Sequence, residues 1–243
     1  MKSQFWNTLQ APPRLRRKDF FLTLAPALLW GVALFSRPYV LSPHCAEHPD
    51  TCLTSSVNRI DQPGLGLENS NADGFSYWTQ NFSGVLALTA PAIWSGSLAV
   101  LGTVTPAIAL EQAGIDLVLV LQTAAWNGLA TETAHLLTER PRPFVYSRPT
   151  EAQNPSNYTS FYSGHTSFAA ASNTALLIIL FARQAPTFLL LLTGALGQVL
   201  ILSTAFFRVL AGRHFISDVL AGAIAGSCIA LLVAYFHRKR ERY

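Results

Sequence analysis

Six apolar runs divide the chain: about Phe20 to Phe35, Ser83 to Gly102, Pro106 to Ala130, Thr166 to Ala182, Thr187 to Phe206 and Phe215 to Phe236. Each comes near the roughly 20 residues that a helix needs to cross a hydrocarbon core about 30 Å thick. Inside hydrocarbon every backbone N–H and C=O must be satisfied within a helix or a closed barrel, so runs of this length predict helices. The first run ends at Ser36-Arg37-Pro38-Tyr39, which lacks the small residues of a signal-peptide cleavage site, and it reads as a retained span. The predicted fold class is all-α: a polytopic bundle of six transmembrane helices, with residues 1–243 forming a single membrane-embedded domain.

The polar stretches between the runs set the orientation. Lys2, Arg14, Arg16, Arg17 and Lys18 precede the first run, and Arg238, Lys239, Arg240 and Arg242 follow the last. An even number of spans puts both termini on one side, and the Lys/Arg bias makes that side cytoplasmic. Arg183, between the fourth and fifth runs, falls on the same side. Residues 1–19 then form a cytoplasmic segment. Three connections lie outside: residues 36–82, residues 131–165, and the brief turn from Arg208 to His214. The first holds an aromatic patch, Phe75, Tyr77 and Trp78, suited either to the membrane interface or to ordinary loop packing.

Composition supports the membrane reading. Only 12% of the residues are charged, against about 25% in soluble domains, so lipid must cover much of the surface. The net charge of +4 resides mainly in the flanks of the apolar runs and is not interleaved with aromatics on a polar face, which argues against a nucleic-acid partner. Cys45 and Cys52 lie close together in the first outer loop and can form a disulfide if that loop meets an oxidising compartment, or remain two free thiols. Asn81-Phe-Ser83 and Asn157-Tyr-Thr159 are glycosylation triplets of a kind common by chance. Gly222 and Gly226 have the spacing that lets membrane helices approach closely.

Candidate chemistry concentrates in three stretches that this topology brings to the outer face: His135 to Pro143, Tyr162 to His165, and Phe207 to Asp218. Arg142 and Arg208 carry permanent charge on a planar fork of donors that suits phosphate oxygens. Ser163, Gly164 and His165 directly precede a predicted helix, whose first N–H groups make an anion seat. His214 and Asp218 are four apart and share a helix face, so the carboxylate can hold one imidazole nitrogen while the other attacks. His165 remains as acid or base for a leaving group. Each residue alone has a blander reading, as a helix-end hydrogen bonder or a membrane anchor, and His214 with Asp218 also has the spacing of a metal pair. The crowd of Arg140, Arg142, Arg208 and Arg213 favours an anion over a cation.

Together the three stretches resemble the three-part signature of the type-2 phosphatidic-acid phosphatase superfamily. That signature is Lys, six residues, Arg-Pro; then Pro-Ser-Gly-His; then Ser-Arg, five residues, His, three residues, Asp. Arg142-Pro143 matches the end of the first part, Ser163-Gly164-His165 the second, and Arg208, His214 and Asp218 the third with both spacings kept. The resemblance implies His214 as the nucleophile that becomes a phosphohistidine, Asp218 as its orienter and His165 as the proton donor to the leaving group. It implies a phosphate seat of Arg142, Arg208, Ser163 and Gly164, with no metal and no cofactor.

Three positions depart from the signature: His135 stands for the lysine, Tyr162 for the proline and Phe207 for the serine. An imidazole near its ordinary pKa of ~6.5 is only partly charged at neutral pH. His135 is therefore expected to contact phosphate best when protonated, unless Arg140 supplies the charge. The function implied is hydrolysis of a lipid phosphate or diphosphate, such as phosphatidic acid, phosphatidylglycerol phosphate, an isoprenyl diphosphate or the lipid A phosphate. The alternatives are a phosphotransferase using the same intermediate, and a non-catalytic phospholipid-binding or transport protein. The expected partners are the bilayer and its lipid phosphate. The expected setting is a bacterial inner membrane with the site facing the periplasm, or else a lumen.

Overall fold

The computed structural model describes residue 15, residues 17–148 and residues 150–239. Of the basic flanking positions, Lys2, Arg14, Arg16, Arg240 and Arg242 lie outside the described residues, as do the side chains of Arg238 and Lys239. Six long helices are apolar enough to cross a membrane: α1 (Arg17–Val40), α2 (Ser70–Val100), α3 (Pro106–Thr138), α4 (Gly164–Ala182), α5 (Thr187–Leu210) and α6 (Ile216–Lys239). No strand occurs among the described residues. The chain is thus an all-α integral membrane protein.

Two helices run well past their apolar stretches. Helix α2 begins at Ser70 rather than Ser83, which shortens the first long connection to residues 41–69. Asn69 starts it: its side chain accepts the Ala72 N–H at 3.0 Å, and its own N–H donates to the Leu210 carbonyl at 3.2 Å. A side-chain oxygen at this position satisfies one of the orphan N–H groups of the first turn. Helix α3 continues to Thr138, and Glu139 closes it in the left-handed region at φ 44°. His135, expected in a loop, is therefore in the last turn of α3. Hydropathy detects only the part of a helix that meets lipid. Turns with one polar face toward other protein, as at Asp73 and Ser76, carry no such signal.

Helix α4 is the centre of the bundle and packs against α2, α3, α5 and α6. Its buried face is built of small residues, Ala169, Ala170, Ala171, Ser172 and Ala175, which let backbones approach without lipid between them. Gly222 and Gly226 on α6 complete that contact. A Cβ at Gly222 would lie 2.7 Å from the Ser163 carbonyl oxygen, and one at Gly226 would fall on the Ser167 backbone. These two glycines press the start of α6 against the start of α4. Polar bonds pin the other neighbours: Asn173 to Ser83 of α2 at 3.2 Å, and Asn127 of α3 to Ser167 at 3.2 Å.

Helix α1 lies along α3, where the Trp30 ring occupies the space a side chain at Gly128 would need. The loop after α1 is tied down by a Cys45–Cys52 disulfide with Cα atoms 5.5 Å apart. Cys45 packs with Phe144, Val145, Ala152 and Tyr158, and its N–H donates to the Tyr158 hydroxyl at 3.1 Å. Cys228 is an exposed free thiol. Of the two glycosylation triplets, Asn81 falls inside α2, and buried Asn157 spends its amide on Glu151 at 2.9 and 3.0 Å. At the bundle end remote from these loops, Arg183 pairs with Asp116 at 2.9 Å, so its charge is held within the protein.

Candidate active site

Alternating helix directions bring the C-terminal ends of α1, α3 and α5 and the N-terminal ends of α2, α4 and α6 to one end of the bundle. A cavity of about 440 Å³ opens there. Its polar wall includes Arg142, Gly164, His165, Arg208, Arg213 and His214, and its apolar wall includes Trp30, Ala124, Gly128 and Phe168. Residues from all three sequence stretches therefore meet around one space.

His214 sits in the turn between α5 and α6. Gly212 makes that turn at φ +67°, with the Leu67 backbone packed where a side chain would begin. The His214 ring is buried, and its Nδ1 is 2.7 Å from the Ser160 carbonyl oxygen. A carbonyl only accepts, so Nδ1 carries the proton and Nε2 holds the lone pair. Burial holds His214 well below the ordinary imidazole pKa, and the charges of Arg208 and Arg142 add to the effect against the opposing Ser160 carbonyl. The ring is thus neutral at neutral pH, with the tautomer a nucleophile needs.

Asp218 reaches this arrangement by a different route from the one its spacing suggested. Its Oδ2 accepts the Ser160 hydroxyl at 2.6 Å and the Phe215 N–H at 2.8 Å, while its Oδ1 accepts from Arg140 at 2.5 Å. The His214 Nδ1–H donates to the Ser160 carbonyl instead. Asp218 therefore orients His214 indirectly, by clamping Ser160 and the backbone beside the histidine. Ser160 was not singled out from the sequence, and nothing in its type or spacing marks it.

Arg140 stands behind this clamp, not in the cavity wall. It donates to Asp218, to Asp61 at 2.7 Å and to Ser217 at 2.8 Å, and lies 4.4 Å over the Phe215 ring. Asp61 is wholly buried and also accepts from the Ser217 N–H at 2.8 Å. Arg140, with two carboxylates already on its guanidinium, is committed to structure and does not supply the missing charge at position 135.

The phosphate-type residues present their donors unevenly. Arg142 Nη2 donates to Thr159 at 3.0 Å. Arg208 Nη1 donates to Asp73 at 2.5 Å, and Asp73 also holds Arg213 at 2.9 Å. Arg142 Nε, Arg208 Nε and His165 Nε2 are buried with no hydrogen-bond partner in the protein. Buried polar atoms are rarely left so, and here all three belong to residues of one cavity wall. Gly164 and His165 add the first N–H groups of α4, which have no acceptor inside the helix. Ser163 differs from expectation: it is wholly buried, and its hydroxyl accepts from the Thr166 N–H at 3.4 Å as the cap of α4. Its part is to start the helix that carries Gly164 and His165.

His135 also differs. Its Nε2 is 3.0 Å from the Tyr162 carbonyl oxygen, and its Nδ1 is 3.2 Å from a guanidinium nitrogen of Arg37. The Glu132 carboxylate lies 3.6 Å from the same Nδ1, too far for a hydrogen bond. Arginine only donates and a carbonyl only accepts, so the Nδ1 edge faces a donor, the Nε2 edge faces an acceptor, and both ring nitrogens are engaged. The departures at Phe207 and Tyr162 are absorbed by packing. Phe207 lies 5.5 Å from the Phe75 ring, and Tyr162 is buried beside His135. Tyr77, from the aromatic patch, meets the His165 ring edge-on at 4.4 Å.

The cavity's charged wall is Arg37, Arg142, Arg208 and Arg213 against Asp73 and Glu132, a net positive lining that repels a cation and attracts an anion. His44, Cys45 and Cys52 bring ligand-type atoms within 4.8 Å of one another, but both sulfurs are spent in the disulfide. No curated relative and no solved structure matches the chain. The family model of the PAP2 superfamily matches residues 116–242, from the middle of α3 through the end of α6. That stretch contains all three motifs and the wall they build, and the chain belongs to the PAP2 superfamily.

Proposed function

We propose that this protein hydrolyses a lipid phosphate or diphosphate through a phosphohistidine on His214. Phosphatase chemistry on phosphate esters is the general activity of the family. The single observation that carries the finer reading is the meeting of His214, His165, Arg142 and Arg208 around one cavity. A phosphoryl group seated there has the N–H groups of Gly164 and His165 on one side and the two guanidinium groups on the other. The His214 Nε2 lone pair attacks phosphorus, and the bond from phosphorus to the leaving oxygen breaks. His165 gives that oxygen its proton, and the negative ester supplies the charge a protonated His165 needs among arginines. Water then attacks the phosphohistidine, His165 takes the water's proton, and the nitrogen–phosphorus bond returns its electrons to Nε2. Asp218 and Ser160 act throughout as positioning residues.

The lipid class is supported by the apolar part of the cavity, Trp30, Phe168, Ala124 and Gly128, which continues from the polar wall among membrane-crossing helices. The basic flanks favour a site facing away from the cytoplasm, toward a periplasm or a lumen. Phosphate release from a panel of lipid phosphates and diphosphates in mixed micelles tests the reading. Wild-type protein is expected to release phosphate and His214→Ala to lose release by at least a thousand-fold, with nucleophile loss in other enzymes costing roughly that or more. Turnover by His214→Ala near the wild-type rate would remove the mechanism, and phosphoryl transfer only to an added alcohol would reassign the protein to the transferases.

A further inference from the structure

The first signature motif has lost its cation at position 135, yet the cavity has not lost a charge. Arg37, at the C-terminal end of α1, lines the same wall as Arg142, Arg208, Arg213, His165 and His214. It comes from a helix outside the matched residues 116–242. Its guanidinium reaches the last two turns of α3: Nε donates to Glu132 Oε2 at 2.6 Å, Nη2 pairs with Glu132 Oε1, and Nη2 faces His135 Nδ1 at 3.2 Å. The group therefore lies against the position the signature assigns to lysine. All three line the cavity, and the Arg37 side chain, 23% exposed against 5% for both Glu132 and His135, is the most accessible of them.

We infer that Arg37 supplies the phosphate-binding charge missing at position 135, making it a substrate-binding residue of this site. The inference rests on the proposed phosphatase reading. Glu132 fixes the guanidinium on its Nε and Nη2 edge and leaves the Nη1 edge without a partner among the described hydrogen bonds. His135 serves as a brace between the Tyr162 carbonyl and Arg37. Arginine differs from lysine in offering a planar fork that can hold two oxygens at once. A charge delivered from α1, the helix that also brings Trp30 to the cavity, couples phosphate binding to the position of that helix.

Purified full-length protein is titrated with orthovanadate, a phosphate mimic, and with inorganic phosphate as inhibitor of turnover. Arg37→Gln is expected to weaken both by roughly 10- to 100-fold, the range for losing one charge-assisted hydrogen bond. Two double variants separate a contact from mere neutralisation of Glu132. Arg37→Gln with His135→Lys puts the cation back where the signature has it, and is expected to bind at least roughly five-fold more tightly than Arg37→Gln alone, a fraction of the one charge-assisted hydrogen bond restored. Arg37→Gln with Glu132→Gln removes the carboxylate as well, and is expected to stay weak. Arg37→Lys, which keeps the charge, guards against a folding defect and is expected to lose less than Arg37→Gln. Equal affinity in wild type and Arg37→Gln, or full recovery in the Glu132→Gln double variant, overturns the role of Arg37 and leaves the phosphatase reading standing. Wild-type protein that binds neither anion and releases no phosphate overturns both.

Discussion

Replacing Asp61 by asparagine tests whether a residue far from the motifs holds the nucleophile in place. Asp61 is wholly buried and accepts from Arg140 at 2.7 Å, from the Ser217 N–H at 2.8 Å and hydroxyl at 2.6 Å, and from Asn58 at 2.7 Å. Asparagine keeps the shape and one acceptor but turns the other atom into a donor facing Arg140 Nη2. A hydrogen bond to a charged group is worth about 1.5–3 kcal/mol. Arg140 is 22% exposed and keeps Asp218, so water screens part of the loss, and about 2 kcal/mol is expected. For a chain of this size that corresponds to a melting-temperature drop of roughly 4–8 °C. Both proteins are melted in the same detergent at one scan rate, since membrane proteins unfold irreversibly.

The pH dependence sharpens the test. Burial opposes ionisation of Asp61, but the hydrogen bonds of Ser217, Arg140 and Asn58 outweigh it and hold the carboxyl below its usual value of 3.8. A depressed folded-state pKa contributes stability that is complete above the unfolded value and is lost as pH falls through the folded one. The gap between wild type and Asp61→Asn should therefore be full near pH 7 and narrow below about pH 4. Turnover at pH 7 should fall with little change in KM, because Arg140 loses half of its anchor and the Asp218–Ser160 clamp loosens. Equal melting at pH 7, or a gap that stays constant on acidification, refutes the reasoning.

Other consequences follow from the same geometry. Gly226→Ala sets a Cβ on the Ser167 backbone and should destabilise the protein by about 1–3 kcal/mol through overpacking, whereas Gly31→Ala, with nothing within 4 Å, should melt within a degree or two of wild type. Because burial and the charges of Arg208 and Arg142 keep His214 well below 6.5, the nucleophile should stay unprotonated into mildly acid solution. Arg208→Gln should raise the His214 pKa and move any acid limb that reports it to higher pH, and a shift the other way would contradict the assignment. Cys45→Ser with Cys52→Ser, or reduction, opens a loop closed by residues seven apart and should cost about 2 kcal/mol, read as a lower melting temperature that reductant does not lower further in the double variant.

Much of this protein is legible in its sequence because lipid is a uniform solvent. An apolar run of sufficient length reports a membrane-crossing helix wherever it stands, so all six helices were readable, α4 included. Motif spacing was equally local: His214 and Asp218 sit around one turn, and Ser163 starts the helix that carries Gly164 and His165. The polar extensions of α2 and α3 were not readable, since Asp73, Ser76 and Glu132 face other protein and leave no hydropathy signal. That is why the first long connection is shorter than expected and His135 is helical.

What tertiary structure alone decided is which polar group meets which. Arg37 finds Glu132 across 95 positions, Arg208 finds Asp73 across 135, and Arg140 finds Asp61 across 79. Helix rotation and approach determine such pairings, and these depend on contacts like Gly226 on Ser167 and Trp30 on Gly128 that no local window contains. By itself the sequence determined a six-span membrane protein carrying the motifs of the PAP2 superfamily, because those properties are read from residues at short spacings along the chain. The tertiary structure decided that Ser160 rather than Asp218 holds the Nδ1 of His214, that Arg140 is committed behind the site, and that a first-helix arginine stands beside His135. Those outcomes depend on directions and distances that exist only once the helices have packed.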